Sequence, residues 1–138
     1  MNMVINGSFY DGLNNWEHTK EVDVLNEGGK CFARVYSYFL YQRVNIEKNK
    51  SYEFSCLARA NIVENVDFQM PVLVGTRSKS FQNNTVSVEH GEQNKIYKVR
   101  LHNVDDTYLE VFLLATPEES NPDGAFADIT DVSLIELS

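Results

Sequence analysis

The chain has 138 residues, 43% of them apolar, with eight Phe, seven Tyr and a single Trp, and it carries a net charge of −8 from twenty acidic and twelve basic side chains. This length suits one domain spanning 1–138 with a sizeable core, and the apolar fraction excludes a disordered chain. The acidic balance and the lack of any basic run oppose binding to nucleic-acid backbones and to anionic membranes, but they do not hinder a neutral ligand such as a sugar.

The opening "MNMVINGSFY" lacks a basic segment followed by a long apolar stretch. It therefore does not read as a signal peptide, and the expectation is either a protein not secreted by that route or a mature domain with an added Met. No run approaches the length of a membrane helix. "NGSFYDGLNNW" follows, dense in turn residues and ending on the only tryptophan. Gly7 suits close backbone approach or positive φ, Phe9 is placed in the core, Asp11-Gly12 turns the chain, and Trp16 caps one end of the core.

From there the apolar residues recur every second position, not at the helical spacing of about 3.6. "KCFARVYSYFLYQRVNI" predicts two strands that break near Ser37. "SYEFSCLARA" sets Tyr52, Phe54, Cys56, Ala58 and Ala60 on one face against Glu53, Ser55, Leu57 and Arg59. "VDFQMPVLVG" predicts a further strand, in which Pro71 suggests an edge or a bulge. "IYKVRLHNV" alternates Tyr97, Val99 and Leu101 with Lys98 and Arg100, and "TYLEVFLLA" alternates Leu109, Val111 and Leu113 with Tyr108, Glu110 and Phe112. "GAFADITDVSLIEL" closes the chain. Turn signals separate these runs, and about eight to ten short strands at this spacing predict an all-β antiparallel β-sandwich or jelly roll.

Chemistry-bearing motifs are sparse. Cys31 and Cys56 lie in apolar runs and read as small buried thiols; a disulfide would require neighbouring strands with the right Cβ geometry. No Cys/His spacing supports zinc. His18, His90 and His102 are isolated. The adjacent acids Asp105-Asp106 and Glu118-Glu119 read as solvated loop charge, not as the opposed acid and base of a glycosidase. Neither a Gly-x-Ser-x-Gly elbow nor a P-loop occurs, so the expectation is no catalytic activity.

Three blocks carry a family resemblance. "VINGSFYDGLNNW", "LYQRVNIEKNKSYEFSCLARA" and "FADITDVSLIEL" together resemble, in family order, the start, middle and end of the family 4, 9 and 22 carbohydrate-binding modules, which are similar to galactose-binding-domain β-sandwiches. The resemblance spans essentially the whole chain. It implies a jelly roll with a sugar groove on its concave sheet, a carbohydrate partner, an extracellular or cell-surface location, and association with a larger enzyme or surface assembly. It also implies a structural calcium, held by Ser8 and Gly28 through their carbonyls and by the position of Thr130. Thr130 replaces the expected carboxylate and Tyr10 stands where many members have an acid, so Asp128 or Asp131 would have to compensate.

The same resemblance assigns groove positions to Gln42, Arg77, Phe81 and Glu110, and puts the apolar Leu114 where a second groove amide is expected. Beside them, Tyr36, Tyr38 and Tyr41 form an aromatic run flanked by Arg34 and Arg43, while Arg59 and Gln69 sit on polar faces of neighbouring strands. Flat apolar sugar faces stack on rings, and sugar hydroxyls pair with amides, carboxylates and guanidinium groups. The competing reading is a protein-interaction or assembly sandwich, such as a surface, toxin-complex or phage-tail component, which the apolar Leu114 favours.

Overall fold

A computed structural model describes residues 2–18, 21–36, 38–61, 72–79, 84–91, 93–115 and 126–137. Among the described residues ten strands run in chain order: β1 (Glu17–His18), β2 (Val22–Glu27), β3 (Lys30–Val35), β4 (Phe39–Asn45), β5 (Lys50–Asn61), β6 (Val72–Arg77), β7 (Asn84–Val88), β8 (Lys95–Val104), β9 (Tyr108–Leu114) and β10 (Phe126–Leu137). They form two five-stranded antiparallel sheets, ordered β1-β4-β9-β6-β7 and β2-β3-β10-β5-β8. The all-β sandwich expected from the alternation is the fold. Three strands were not foreseen: β1 is very short, and β2 and β7 are edge strands of mixed polarity. The expectation that Pro71 marks an edge or a bulge lies outside the described residues; β6, which follows it, pairs on both sides, with β7 and β9.

Alternation decides which face of each strand is buried. Tyr52, Phe54, Cys56, Ala58 and Ala60 of β5 are all at most 2% exposed, and Leu109, Val111 and Leu113 of β9 are fully buried. They meet between the sheets, where removal of apolar surface from water supplies the main driving force for folding. Burial pushes the Cys56 thiol up to about 12. Both cysteines are free, and β10 separates their strands, so they are not placed to pair.

The tryptophan-terminated turn is built around Asn6. Its side-chain amide donates to the carbonyls of Gly12 (3.1 Å) and Asn14 (2.9 Å), its Oδ1 accepts from the Asp11 N–H, and its carbonyl accepts from the Trp16 indole at 2.9 Å. Trp16 packs on Phe9 with ring centroids 5.0 Å apart. The segment docks on β10 where that strand bulges between Thr130 and Ser133: the Val132 N–H donates to the Gly7 carbonyl at 3.0 Å. A Cβ on Gly7 would lie 2.2 Å from the Val132 oxygen, so close approach, not backbone freedom, demands glycine there.

The outer face of the second sheet carries a charged ladder. Asp23, Arg34, Asp128 and Arg59 are register neighbours across β2, β3, β10 and β5. Asp128 is fully buried and accepts from Arg34 Nε (2.9 Å), Arg34 Nη2 (3.0 Å) and Arg59 Nε (2.9 Å). Arg34 lies 3.7 Å over the Phe126 ring and Arg59 lies 5.6 Å over Phe32. These contacts satisfy the acid inside the protein.

Candidate binding face

The outer face of the first sheet gathers the aromatic and charged side chains. In β4, Leu40, Gln42 and Val44 are buried against the core, so Phe39, Tyr41 and Arg43 point outward. In β9 the outward set is Tyr108, Glu110, Phe112 and Leu114; in β6 it is Leu73, Gly75 and Arg77. Register aligns them in three rows: Phe39, Leu114 and Leu73; Tyr41, Phe112 and Gly75; Arg43, Glu110 and Arg77. Glu17 of β1 extends the middle row and accepts a 2.9 Å hydrogen bond from the Tyr41 hydroxyl, which holds that phenol's pKa above its ordinary value, with burial adding to the rise. Gly75, at φ 153°, keeps the row flat beside Phe112; a Cβ there would stand 2.1 Å from the Asn84 oxygen.

Arg77 is the hub. Its Nε donates to Glu110 Oε1 at 2.7 Å, and its guanidinium lies 4.3 Å from the Phe39 ring, 5.2 Å from Tyr41 and 5.5 Å from Phe112. Arg43 reaches Glu110 Oε2 at 3.4 Å and stacks 4.1 Å over Tyr108. At one end of this array Arg77, Ser78, Lys79, Tyr108 and Glu110 line an open depression of about 350 Å³. The arrangement offers flat rings and fixed polar groups on an accessible surface.

Of the ligand positions expected from sequence, Tyr41, Arg43, Arg77 and Glu110 converge here. Gln42 does not. It points into the sandwich, its Oε1 accepting from the Ile5 N–H (2.9 Å) and its Nε2 donating to the Ile5 carbonyl (2.8 Å), so it tethers the N-terminal segment. Tyr36, just past the end of β3, and Arg59 of β5 lie on the side of the second sheet, where they hold Asp23 and Asp128. Tyr38 sits in the bend before β4 at φ 59°, its carbonyl accepting from the Ala115 N–H. Gln69 and Phe81 lie outside the described residues. Phe39, Tyr108, Phe112 and Lys79 were not singled out; the strand phase shared with Tyr41, Glu110 and Arg77 was the signal that could have found the three aromatics.

The expected calcium ligands separate in the same way. Asp131 occupies the β10 bulge at φ 51°, with Ser8 Oγ donating to its Oδ1 at 2.9 Å and Lys30 Nζ to its Oδ2 at 2.5 Å. Asp128 is held by two arginines on the sheet face, and Thr130 is fully buried. Among the described residues no group of three or more His, Cys, Asp or Glu could hold a metal ion. The Lys30 ammonium pairs with the carboxylate that reaches Ser8, so a calcium held there by the carbonyls of Ser8 and Gly28 would have to compete with that ammonium.

This corner makes stability depend on acid pH. Burial pushes the Asp131 carboxyl up, but the hydrogen bonds from Lys30 and Ser8 and the Lys30 charge outweigh it and hold its pKa below the ordinary 3.8. A carboxyl depressed in the folded state contributes stability in full above its unfolded value and loses it as pH falls through the folded one. Melting curves from pH 6 down to 3 should therefore show the wild type losing its margin over Asp131→Asn below about pH 4. Parallel curves for the two proteins would refute the linkage.

No protein-family model matches the sequence, and no curated protein matches it. Solved structures do share the fold. A family 16 carbohydrate-binding module superposes with a TM-score of 0.71 at 14% identity, covering 97% of this chain and 99% of that one. A family 61 module, TmCBM61, solved in complex with β-1,4-galactotriose, gives 0.64 at 16% identity and covers 99% of both chains. The enzymatically active domain of tailspike protein 4 from bacteriophage CBA120 gives 0.69 at 13% identity, covering 99% of this chain but only 21% of the tailspike domain. Modules of families 4 and 22 also match. The chain has the carbohydrate-binding-module fold.

Proposed function

We propose that the chain is a non-catalytic carbohydrate-binding module that holds an oligo- or polysaccharide on the outer face of the β1-β4-β9-β6-β7 sheet. The observation that carries the reading is the array of Phe39, Tyr41 and Tyr108 rings around Arg43, Glu110 and Arg77 on an open surface. A pyranose stacks its C–H face on a ring and offers its hydroxyls to the flanking charges, and neither contact needs a bond to break. The fold shared with a module solved around a galactotriose supports the same reading. An open site keeps part of its ligand wet, so the expected Kd is about 10⁻³ to 10⁻⁵ M, roughly −4 to −7 kcal/mol.

Affinity electrophoresis against soluble polysaccharides tests it. Tyr41→Ala should reduce retardation by about tenfold in apparent Kd while the melting temperature moves little, because the ring is half-exposed and its hydroxyl bonds only the exposed Glu17. Retardation of neither protein by any glycan, or equal retardation of both, counts against this face. The location we propose is extracellular or cell-surface, in association with a larger enzyme or assembly. Matches in which this fold is one part of a longer chain support that association.

A second reading has an observation of its own. The row Phe39, Leu114 and Leu73 is apolar, and the fold recurs within a phage tailspike. An assembly module would bury that row against a neighbour. Light scattering separates the readings: a stable oligomer that is lost in a Leu114→Gln variant favours assembly.

A further inference from the structure

We infer that the glycan held on this face is an acidic one, whose carboxylate or sulfate groups pair with Arg43, Arg77 and Lys79; the inference rests on the proposal that this face binds glycan. It follows from which charges reach solvent. Glu110 stands between Arg43 and Arg77 in their row, its side chain is 13% exposed, and each of its oxygens already accepts from an arginine. Asp106, at the depression's edge, is buried and accepts from Ser78 Oγ at 2.7 Å. Glu17 stands beyond Tyr41 on β1, across the sheet from the depression. The cations are the groups on top. The Arg43 side chain is 59% exposed and its bond to Glu110 is long at 3.4 Å. Lys79 is exposed and makes no ion pair with another described residue.

In a chain of net charge −8, Arg43, Arg77 and Lys79 thus outnumber the half-buried Glu110 at the end of the rows where the depression lies. Its overall field would repel a polyanion, so an acidic polymer is held only by short-range pairing. Arginine suits that pairing because its planar fork matches a carboxylate or a sulfate with two parallel hydrogen bonds. A neutral sugar would be better served by amides, yet Gln42 points into the core and Leu114 is apolar.

Isothermal titration with matched pairs tests the inference: polygalacturonate against its methyl ester, and dextran sulfate against dextran, with neutral β-1,4-galactan as a further arm, each at about 0.05 and 0.5 M NaCl. The expected result is that an acidic member binds at least about tenfold more tightly than its neutral partner at low salt and loses most of that advantage at high salt. Preference confined to polygalacturonate assigns a carboxylate; preference in both pairs assigns anionic charge of either kind. Lys79→Gln and Arg43→Gln should each weaken the acidic ligand by about threefold or more at low salt, and weaken its neutral partner less. Neutral glycans binding as well as their acidic partners, without salt dependence, would overturn the acidic class and leave the sugar site standing. Binding to none of the five would overturn both.

Discussion

Replacing Asp128 with alanine is expected to destabilise the fold by about 3 kcal/mol, lowering the melting temperature by about 6–12 °C. Asp128 is fully buried, whereas its partners Arg34 and Arg59 have side chains 23% and 16% exposed. Its removal leaves two cations pressed against the Phe126 and Phe32 rings with three charged hydrogen bonds unmade. Losing one side of a buried ion pair costs far more than the net worth of the pair, because the remaining charge stays desolvated. Partial exposure of the arginines sets the expectation at the low end of the usual range. Glu27→Gln is the control: its side chain is 60% exposed and meets Arg59 at 2.7 Å, so its loss should cost under about 1 kcal/mol. Urea unfolding of the three proteins decides the matter. A loss at Asp128 no larger than at Glu27 would mean that the ladder contributes only as a surface network.

The second large effect is expected at Arg77. Arg77→Ala should destabilise by about 2 kcal/mol, since it removes the 2.7 Å partner of a Glu110 side chain only 13% exposed and uncovers a Phe112 ring that is 3% exposed. Affinity for the glycan should fall at least about tenfold, because the same guanidinium orders the Phe39, Tyr41 and Phe112 rings and the acid beside them. Arg77→Lys separates charge from shape. An ammonium can still reach Glu110 but cannot lie flat on three rings, so this variant should recover most of the stability and remain about threefold or more weaker in binding. Wild-type affinity in Arg77→Lys would show that the planar stack is not part of the site.

Much of this outer face is legible in the sequence. The phase of "TYLEVFLLA" puts Tyr108, Glu110 and Phe112 on one side of β9, and that side is the outer one. Tyr41 and Arg43 share a phase for the same reason. Gln42 shows where such reading fails. It sits in the core phase between Leu40 and Val44, and periodicity alone marks it as inward; a likeness to groove amides drew it outward instead. Its burial is tolerated because Ile5, distant in sequence, brings one donor and one acceptor that match the amide.

What the sequence by itself determined is local: the period-two alternation, hence strands, the inward residues of each, and two layers to hide them. A side chain's facing depends only on its own strand, so one chain read alone suffices for it. What only the tertiary structure decided is pairing. That β9 lies between β4 and β6, so that one acid meets two arginines, and that β10 lies between β3 and β5, so that Asp128 meets two more, are facts of strand order. Strand order follows from contacts between segments far apart in the chain. The Lys30 ammonium beside Asp131 is of the same kind: two residues a hundred positions apart become one ion pair only after the sheet has closed around them.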